Sequence, residues 1–131
     1  MATRSRTSLL ANDAVHIAFL GFARIGLDRK GIAVGRYVIM PDHIHLFVRG
    51  PIGFNLRQWG RMLKRALGTS APTQAGSFWQ RGFFDHLLRN GESYAQKWEY
   101  VRMNPVRAGL VAAPEDWPYQ GELIPLEGPN V

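Results

Sequence analysis

The sequence contains no cysteine, which excludes a disulfide framework and any zinc site built from thiolates. It has no apolar run long enough to span a bilayer. Residues 1–6 are basic but lack the apolar stretch of a secretory signal. We therefore expect a cytoplasmic protein, associated with the nucleoid if it binds DNA. A length of 131 residues with 46% hydrophobic residues predicts one domain, over residues 1–131, with a real core.

Acidic residues are the scarcer charged class, since 10 Asp and Glu stand against 16 Lys and Arg for a net charge of +6. The region after Leu110 contains four acidic residues and no basic one, so the first 110 residues carry 16 basic and six acidic side chains. A body this basic favours a polyanionic partner, most simply nucleic acid. A basic surface that serves only solubility is the alternative.

The spacing of apolar residues predicts three helices, which cover about 12–25, 55–67 and 93–104. Asn12 and Asn55 are expected to cap the first two, and Pro105 to end the third. Between the first helix and the first strand, residues 28–31 read as a turn.

Strand-like segments lie at 32–39 and 44–48, with at least one more strand within 78–88. Trp79, Phe83 and Phe84 in the last segment could stack on bases, but we expect most of them in the core. Residues 69–76 read as a loop, and residues 1–8 and 120–131 as irregular.

Two histidines in the second strand-like segment are the first candidate for chemistry. His43 and His45 flank Ile44, and side chains two apart on a strand point to the same face. Two neutral imidazoles on one face can hold a divalent metal. Alternation with apolar neighbours is also compatible with plain packing, so the pair alone leaves both roles open.

The second predicted helix has one basic face, because its cations recur at i, i+4, i+7 and i+8 with no carboxylate among them. A solvated face is the usual role of such a stripe, but this one favours contact with phosphates. Seven residues are predicted to contact DNA: Arg57, Arg61, Lys64, Arg65, Lys97, Arg102 and Arg107.

The third predicted helix places its two tyrosines on different faces. Tyr94 falls with Trp98 and Val101 on the apolar face, at i, i+4 and i+7. Tyr100 falls on a more polar face. The pattern therefore predicts a structural Tyr94 and a presented Tyr100.

A presented tyrosine near a histidine-bound metal suggests phosphodiester chemistry. The phenol oxygen of Tyr100 can attack a phosphodiester and form a covalent phosphotyrosine, and a metal would polarise the phosphate. Asn104, one turn later, could supply a third ligand to the metal or simply cap the helix end. Lys97, one turn earlier, could lower the phenol pKa or be an ordinary surface lysine.

Four motifs carry a resemblance to a known family, and their order and spacing agree with it over about residues 9–119. They are Tyr37–Leu46, Phe78–His86, Tyr100–Val111 and Pro114–Pro118. On these residues the sequence resembles the REP-associated tyrosine transposases, a branch of the single-tyrosine HUH transposase superfamily.

The resemblance implies an α+β, ferredoxin-like sandwich with a central antiparallel sheet. It implies that His43 and His45 bind Mg²⁺ or Mn²⁺ and that Tyr100 attacks single-stranded or hairpin DNA, leaving a 5′-phosphotyrosine and a free 3′-hydroxyl. The expected class is therefore an enzyme, a DNA-nicking and strand-transfer nuclease. Members normally begin with an inner strand, for which residues 1–10 are poorly suited. A degenerate strand, a start placed too far downstream, or a strand from a partner would each account for this, so both monomer and homodimer stay open.

Three other functions remain as alternatives. A DNA-binding module with the same fold could have lost its chemistry. A rolling-circle initiator or relaxase shares the histidine pair and the tyrosine, although the motif from Asn104 to Val111 favours the transposase branch. A metal hydrolase would use water instead of Tyr100 as its nucleophile.

Overall fold

The computed structural model describes residues 10–68, 86–87 and 94–126. The helices are α1 (Asp13–Lys30), α2 (Leu56–Gly68), α3 (Tyr94–Val101) and α4 (Asn104–Arg107), and the strands are β1 (Ala33–Ile39), β2 (Ile44–Arg49), β3 (His86–Leu87) and β4 (Gln120–Glu122). A short 3-10 turn spans Pro114–Asp116. The predicted α+β class is confirmed. Each helix in these ranges is too short or too polar to span a lipid bilayer.

The strands form one sheet in the order β3-β2-β1-β4. Both β2 and β4 run antiparallel to β1, as predicted for the centre of the sheet, while the two-residue β3 pairs parallel with β2. In the β1–β2 hairpin Val38 lies opposite His45, and Tyr37 lies opposite Leu46. A register irregularity between Val34 and Tyr37 shifts the alternation of β1 by one residue.

The sheet carries a hydrophobic cluster on each of its two faces. The first, called the α1/α2 face, packs strand residues such as Tyr37, Ile39, Ile44, Leu46 and Val48 against Val15 and Phe19 of α1 and Leu63 and Leu67 of α2. The second, called the α3 face, packs Val38, Met40 and Phe47 against Val101, Trp117 and Leu126. Strand alternation therefore decides which layer each side chain joins.

The two ends of α1 differ in how well local signals predict them. Asn12 caps the helix, with its side-chain oxygen accepting from the backbone N–H of Val15 at 2.9 Å, as predicted. The predicted end near residue 25 and the turn at 28–31 are wrong, because α1 continues to Lys30. It stops at Gly31, whose φ of 67° favours glycine. Arg29 and Lys30 suit this end because cations interact well with the negative end of the helix dipole.

The C-terminal segment corrects another expectation. The sequence predicts irregular structure over residues 120–131, but residues 120–122 form β4 on the free edge of β1, where an unpaired strand would leave backbone groups unsatisfied. The indole N–H of Trp117 donates to the carbonyl of Ile39 in β1 at 3.0 Å and holds the segment that leads into β4 against β1. The expected first strand, the loop at 69–76 and the aromatic residues at 79, 83 and 84 lie outside the described residues.

A polar contact ties α1 to the sheet. The Nε2 atom of His16 lies 2.6 Å from the hydroxyl of Tyr37. Gly121 of β4 passes over this phenol so closely that a Cβ at that position would lie 2.9 Å from the hydroxyl oxygen. Burial raises the pKa of Tyr37 to about 12. Burial also lowers the pKa of His16, against the opposing charge of Asp13.

Acidification is expected to weaken this protein through His16. Because folding holds the pKa of His16 below 6.5, the unfolded chain binds more protons at acid pH, and stability falls as the pH drops through 6.5. His16→Gln should therefore reduce the slope of unfolding free energy against pH between about 7 and 5. The slope should not vanish, because folding also lowers the pKa of His43. Urea unfolding at several pH values measures it, and an unchanged slope would contradict the assignment.

Candidate active site

The histidine pair is positioned by the tight connection between β1 and β2. The backbone N–H of Met40 donates to the carbonyl of His43 at 2.8 Å, which closes the hairpin around Pro41 and Asp42. His43 immediately precedes β2 and His45 is its second residue. Phe47 belongs to the cluster on the α3 face, as does Val38, which lies opposite His45. Because side chains two residues apart on a strand share a face, the two histidines fall on that face as well. The predicted common face of the two histidines is therefore observed.

The two imidazoles converge on one point. Their Nε2 atoms are 3.1 Å apart, and the rings are nearly perpendicular with centroids 4.8 Å apart. On the other side of the His43 ring, Nδ1 lies 2.6 Å from a carboxylate oxygen of Asp42. Since a carboxylate oxygen accepts, Nδ1 carries the proton, and in the neutral ring Nε2 presents its lone pair toward His45.

This arrangement fits a divalent cation. Two ligands at right angles in an octahedral shell, each about 2.1 Å from the ion, lie about 3 Å apart, which matches the observed separation of the Nε2 atoms. Burial lowers the pKa of His43 and outweighs the raising effect of Asp42, so the neutral, ligand form is favoured. Among the described residues no third histidine, cysteine or carboxylate completes a metal-binding group, so a further ligand from that part of the chain would be an amide oxygen such as that of Asn104.

Tyr100 is presented to solvent on the helix that packs over the same sheet face. Its side chain is 68% exposed. In the same helix Val101 is buried, and the ring of Trp98 meets that of Phe47 edge-on, with centroids 6.4 Å apart. The predicted contrast between an apolar face and a presented tyrosine is confirmed for these three α3 residues. The side chain of Tyr94 lies outside the described part.

The other described tyrosine side chains are poorly placed to act as nucleophiles. Tyr37 is only 2% exposed, and its phenol pKa is raised to about 12 by burial. Tyr119 is half-buried, and burial followed by interaction with Asp13 raises its pKa as well. Tyr100 is therefore the accessible phenol among the tyrosines whose side chains the structure describes.

Arg107 connects Tyr100 with Asn104. Its Cζ lies 4.1 Å from the centroid of the Tyr100 ring, and its Nη2 donates to the Tyr100 carbonyl at 2.9 Å and to the side-chain oxygen of Asn104. The helix expected over 93–104 is interrupted, since α3 ends at Val101 and Asn104 begins α4. Asn104 therefore does not cap the end of α3. Its oxygen faces the guanidinium that covers Tyr100.

The predicted DNA contacts do not form one surface with the histidine pair. Helix α2 packs on the α1/α2 face, opposite the histidines. Its basic stripe points outward, with Arg57, Arg61 and Arg65 exposed and Lys64 half-buried, where desolvation lowers its pKa. On the other face, Lys97 is half-buried, Arg102 pairs with Glu99 at 3.0 Å, and Arg107 is engaged with Tyr100.

Two residues of this site have roles that the sequence did not indicate. Asp42 was not singled out, although a carboxylate beside a candidate histidine ligand in a tight turn is a usable signal. Arg107 was predicted only as a DNA contact, and its position over Tyr100 depends on the bend between α3 and α4.

Comparison with known proteins agrees with the predicted resemblance. No family model matches this sequence. A protein of Haemophilus influenzae that is provisionally named a REP-associated tyrosine transposase is 32% identical over 94 residues, which cover 62% of this chain and 53% of that protein. The Escherichia coli REP-associated tyrosine transposase is 28% identical over 119 residues, which cover 88% of this chain and 69% of that protein. The chain thus spans about half the length of the first relative and about two thirds of the second.

A solved structure shares the fold. It is a REP-associated tyrosine transposase bound to a REP hairpin, with a TM-score of 0.70 and 24% sequence identity, and the match covers 91% of this chain and 71% of that one. The likeness in sequence to two proteins of this name and the shared fold confirm the resemblance recognised from the motifs: this chain is similar to the REP-associated tyrosine transposases.

Proposed function

We propose that the protein is a metal-dependent single-stranded DNA endonuclease and transposase that cleaves and rejoins hairpin-forming DNA through a 5′-phosphotyrosine. The observation that carries the proposal is the convergence of the His43 and His45 Nε2 atoms, 3.1 Å apart, on the sheet face covered by the helix that presents Tyr100. The REP hairpin bound by the solved neighbour supports hairpin DNA as the substrate class.

In the proposed reaction the phenol oxygen of Tyr100 attacks the phosphorus. A Tyr–O–P bond forms, the bond from phosphorus to the 3′ oxygen breaks, and the phenolic proton is released as the 3′ oxygen gains one. Rejoining reverses these steps with a 3′-hydroxyl as nucleophile. Mg²⁺ or Mn²⁺ held by His43 and His45, with the Asn104 amide as a candidate third ligand, would supply Lewis-acid stabilisation of charge on the phosphate. Asp42 would keep the His43 ring in the tautomer that can bind it.

The direct test is capture of a covalent adduct. The protein is incubated with end-labelled, single-stranded hairpin DNA and Mn²⁺, then denatured and separated by electrophoresis. Labelled DNA that migrates with the denatured protein supports the proposal. Binding without cleavage would instead indicate a DNA-binding module that has lost its chemistry, and cleavage without an adduct would indicate water as the nucleophile.

We infer that Arg107 mainly positions Tyr100 rather than contacting DNA. Arg107→Lys keeps the charge but loses the flat guanidinium that lies over the Tyr100 ring and whose Nη2 donates to both the Tyr100 carbonyl and the Asn104 oxygen. Cleavage should slow by about 10- to 100-fold, the size of effect that misplacement of a reacting group produces. DNA affinity and its salt dependence should stay the same.

Arg102→Lys is the matched control for this substitution, because Arg102 pairs with Glu99 and should tolerate the change within about twofold. Single-turnover cleavage and fluorescence anisotropy measure rate and affinity separately. If Arg107→Lys weakens binding and leaves the cleavage rate of bound DNA intact, Arg107 is a DNA contact.

The exposed basic stripe of α2 should dominate the salt dependence of DNA binding. Replacing Arg57, Arg61, Lys64 and Arg65 by glutamine should reduce the slope of log affinity against log salt by up to about 0.7 for each phosphate of a single strand that is no longer neutralised. Arg24→Gln, which removes an exposed cation from α1, is the control and should change the slope little. An unchanged slope in the α2 variant would place the DNA elsewhere.

A further inference from the structure

A surface pocket lies far from the histidine pair. It has a volume of about 240 Å³ and opens between the C-terminal end of α1, the segment that follows β2, and the first two turns of α2. A strand rises about 3.3 Å per residue, so the end of β2 at Arg49 is already roughly 20 Å from His43. The pocket is therefore separate from the candidate active site.

The walls of this pocket are aromatic and its mouth is apolar. Phe54 and Trp59 line it and meet edge-to-face with centroids 6.2 Å apart. Gly50 makes room for this arrangement, since a Cβ there would overlap the Phe54 ring. At the mouth Ile52 is fully exposed and Met62 is 41% exposed. Large apolar side chains held open to water beside aromatic walls are typical of a ligand site.

The polar groups around the pocket suit an anionic ligand with a planar apolar part. Lys30 lines one side, and Asn55 and Gln58 contribute amide groups that can donate and accept. None of the described lining residues is acidic. Gln58 lies beside Arg61 on the α2 surface, so the pocket borders the exposed basic stripe. The acidic residue nearest in sequence to Lys30 is Asp28, in the last turn of α1, and it does not line the pocket.

We propose that this pocket binds a single unstacked nucleobase of a DNA strand whose phosphates follow the basic stripe of α2. The identification of the ligand as DNA rests on the proposed function, whereas the pocket's shape and lining do not. A volume of about 240 Å³ is below the roughly 300–1,000 Å³ that encloses drug-sized ligands, and so suits one ring system rather than a whole small molecule. Aromatic and apolar side chains bind base faces, amides bind base edges, and Lys30 and Arg61 offer charge to the flanking phosphates.

The test compares two exposed isoleucines that receive the same charge. Ile52→Glu places a carboxylate at the mouth of the pocket, and Ile17→Glu places one on an exposed position of α1 outside it. Affinity for a short single-stranded oligonucleotide is measured by anisotropy without divalent metal, so no cleavage is needed. Ile52→Glu should weaken binding about tenfold, the effect of losing roughly one stacked base. Ile17→Glu should change it less than about twofold.

Photocrosslinking gives an independent readout of the same proposal. A strand carrying 5-iodouracil, irradiated in complex with the protein, should attach to a peptide that contains Phe54 or Trp59. At a strand concentration below the Kd of the Ile52→Glu variant, that substitution should reduce the attachment about tenfold. Equal affinity loss in both isoleucine variants, or crosslinks only to other peptides, would overturn the proposal. The proposal would also be overturned if Ile52→Glu changed the oligomeric state of the protein but not its affinity for DNA. In that case the pocket would accept an apolar side chain of a second copy of the chain. If the affinity and crosslinking results agree with the pocket proposal but the protein never cleaves DNA, the proposed nuclease function is wrong while the nucleobase pocket stands.

Discussion

Tyr100→Phe is expected to abolish covalent capture of DNA while leaving the fold and DNA affinity within about twofold of the unmodified protein. The substitution removes one oxygen from a side chain that is 68% exposed, and the ring beneath the Arg107 guanidinium remains. Cleavage should fall by at least about three orders of magnitude, because a positioned phosphate without an attacking oxygen cannot form the intermediate. Single-turnover cleavage with adduct detection measures the loss, and circular dichroism checks the fold.

Two controls make this result specific. Tyr119→Phe removes the hydroxyl of a half-buried tyrosine that interacts with Asp13, and Tyr94→Phe removes the other hydroxyl of α3. Both variants should keep adduct formation. Mass spectrometry of a trapped adduct should place the nucleotide on the peptide with Tyr100. Attachment to another tyrosine, or normal cleavage by Tyr100→Phe, would show that the nucleophile was misassigned.

His43→Ala and His45→Ala are each expected to remove metal-dependent cleavage from a protein that still folds. The two Nε2 atoms form one site, so loss of either leaves a single imidazole and the affinity for Mn²⁺ should fall sharply. Calorimetric titration of Mn²⁺ should show no binding at concentrations that saturate the unmodified protein. Full cleavage by the double variant would eliminate the proposed metal role.

Asp42→Asn is expected to weaken Mn²⁺ binding less than either histidine substitution does. The substitution keeps the size of the side chain but removes the charge that fixes Nδ1 of His43 as the donor. Metal affinity should fall by about 10- to 100-fold, less than for loss of a histidine. If Asp42→Asn left Mn²⁺ affinity unchanged, the short contact would serve only to shape the hairpin.

Local patterns determined the elements and the direction of several side chains. The capping signals at Asn12 and Asn55 marked helix starts correctly. The two-residue spacing placed His43 and His45 together, and the helical period separated exposed Tyr100 from buried Val101. These features were predictable because strand alternation and helix periodicity are properties of a short stretch of chain.

Longer-range features of the fold were not predictable in the same way. The continuation of α1 to Lys30 and the pairing of residues 120–122 with β1 corrected the local expectations. The extra turn of α1 is mostly exposed and ends at the left-handed cap Gly31, a signal that the spacing of apolar residues does not show. The edge strand β4 is stabilised by hydrogen bonds to β1, which lies far away in the sequence.

The composition of the candidate site was likewise decided by tertiary structure. By itself the sequence determined that a histidine pair, a presented tyrosine and a basic helix face exist. Only the fold placed α3 and the pair on one side of the sheet and the α2 stripe on the other. It also brought Arg107 over Tyr100 and opened the pocket beside Trp59. The physical reason is that periodicity gives each element an inner and an outer face, while the layer in which elements meet depends on crossovers and on packing between residues far apart in the chain.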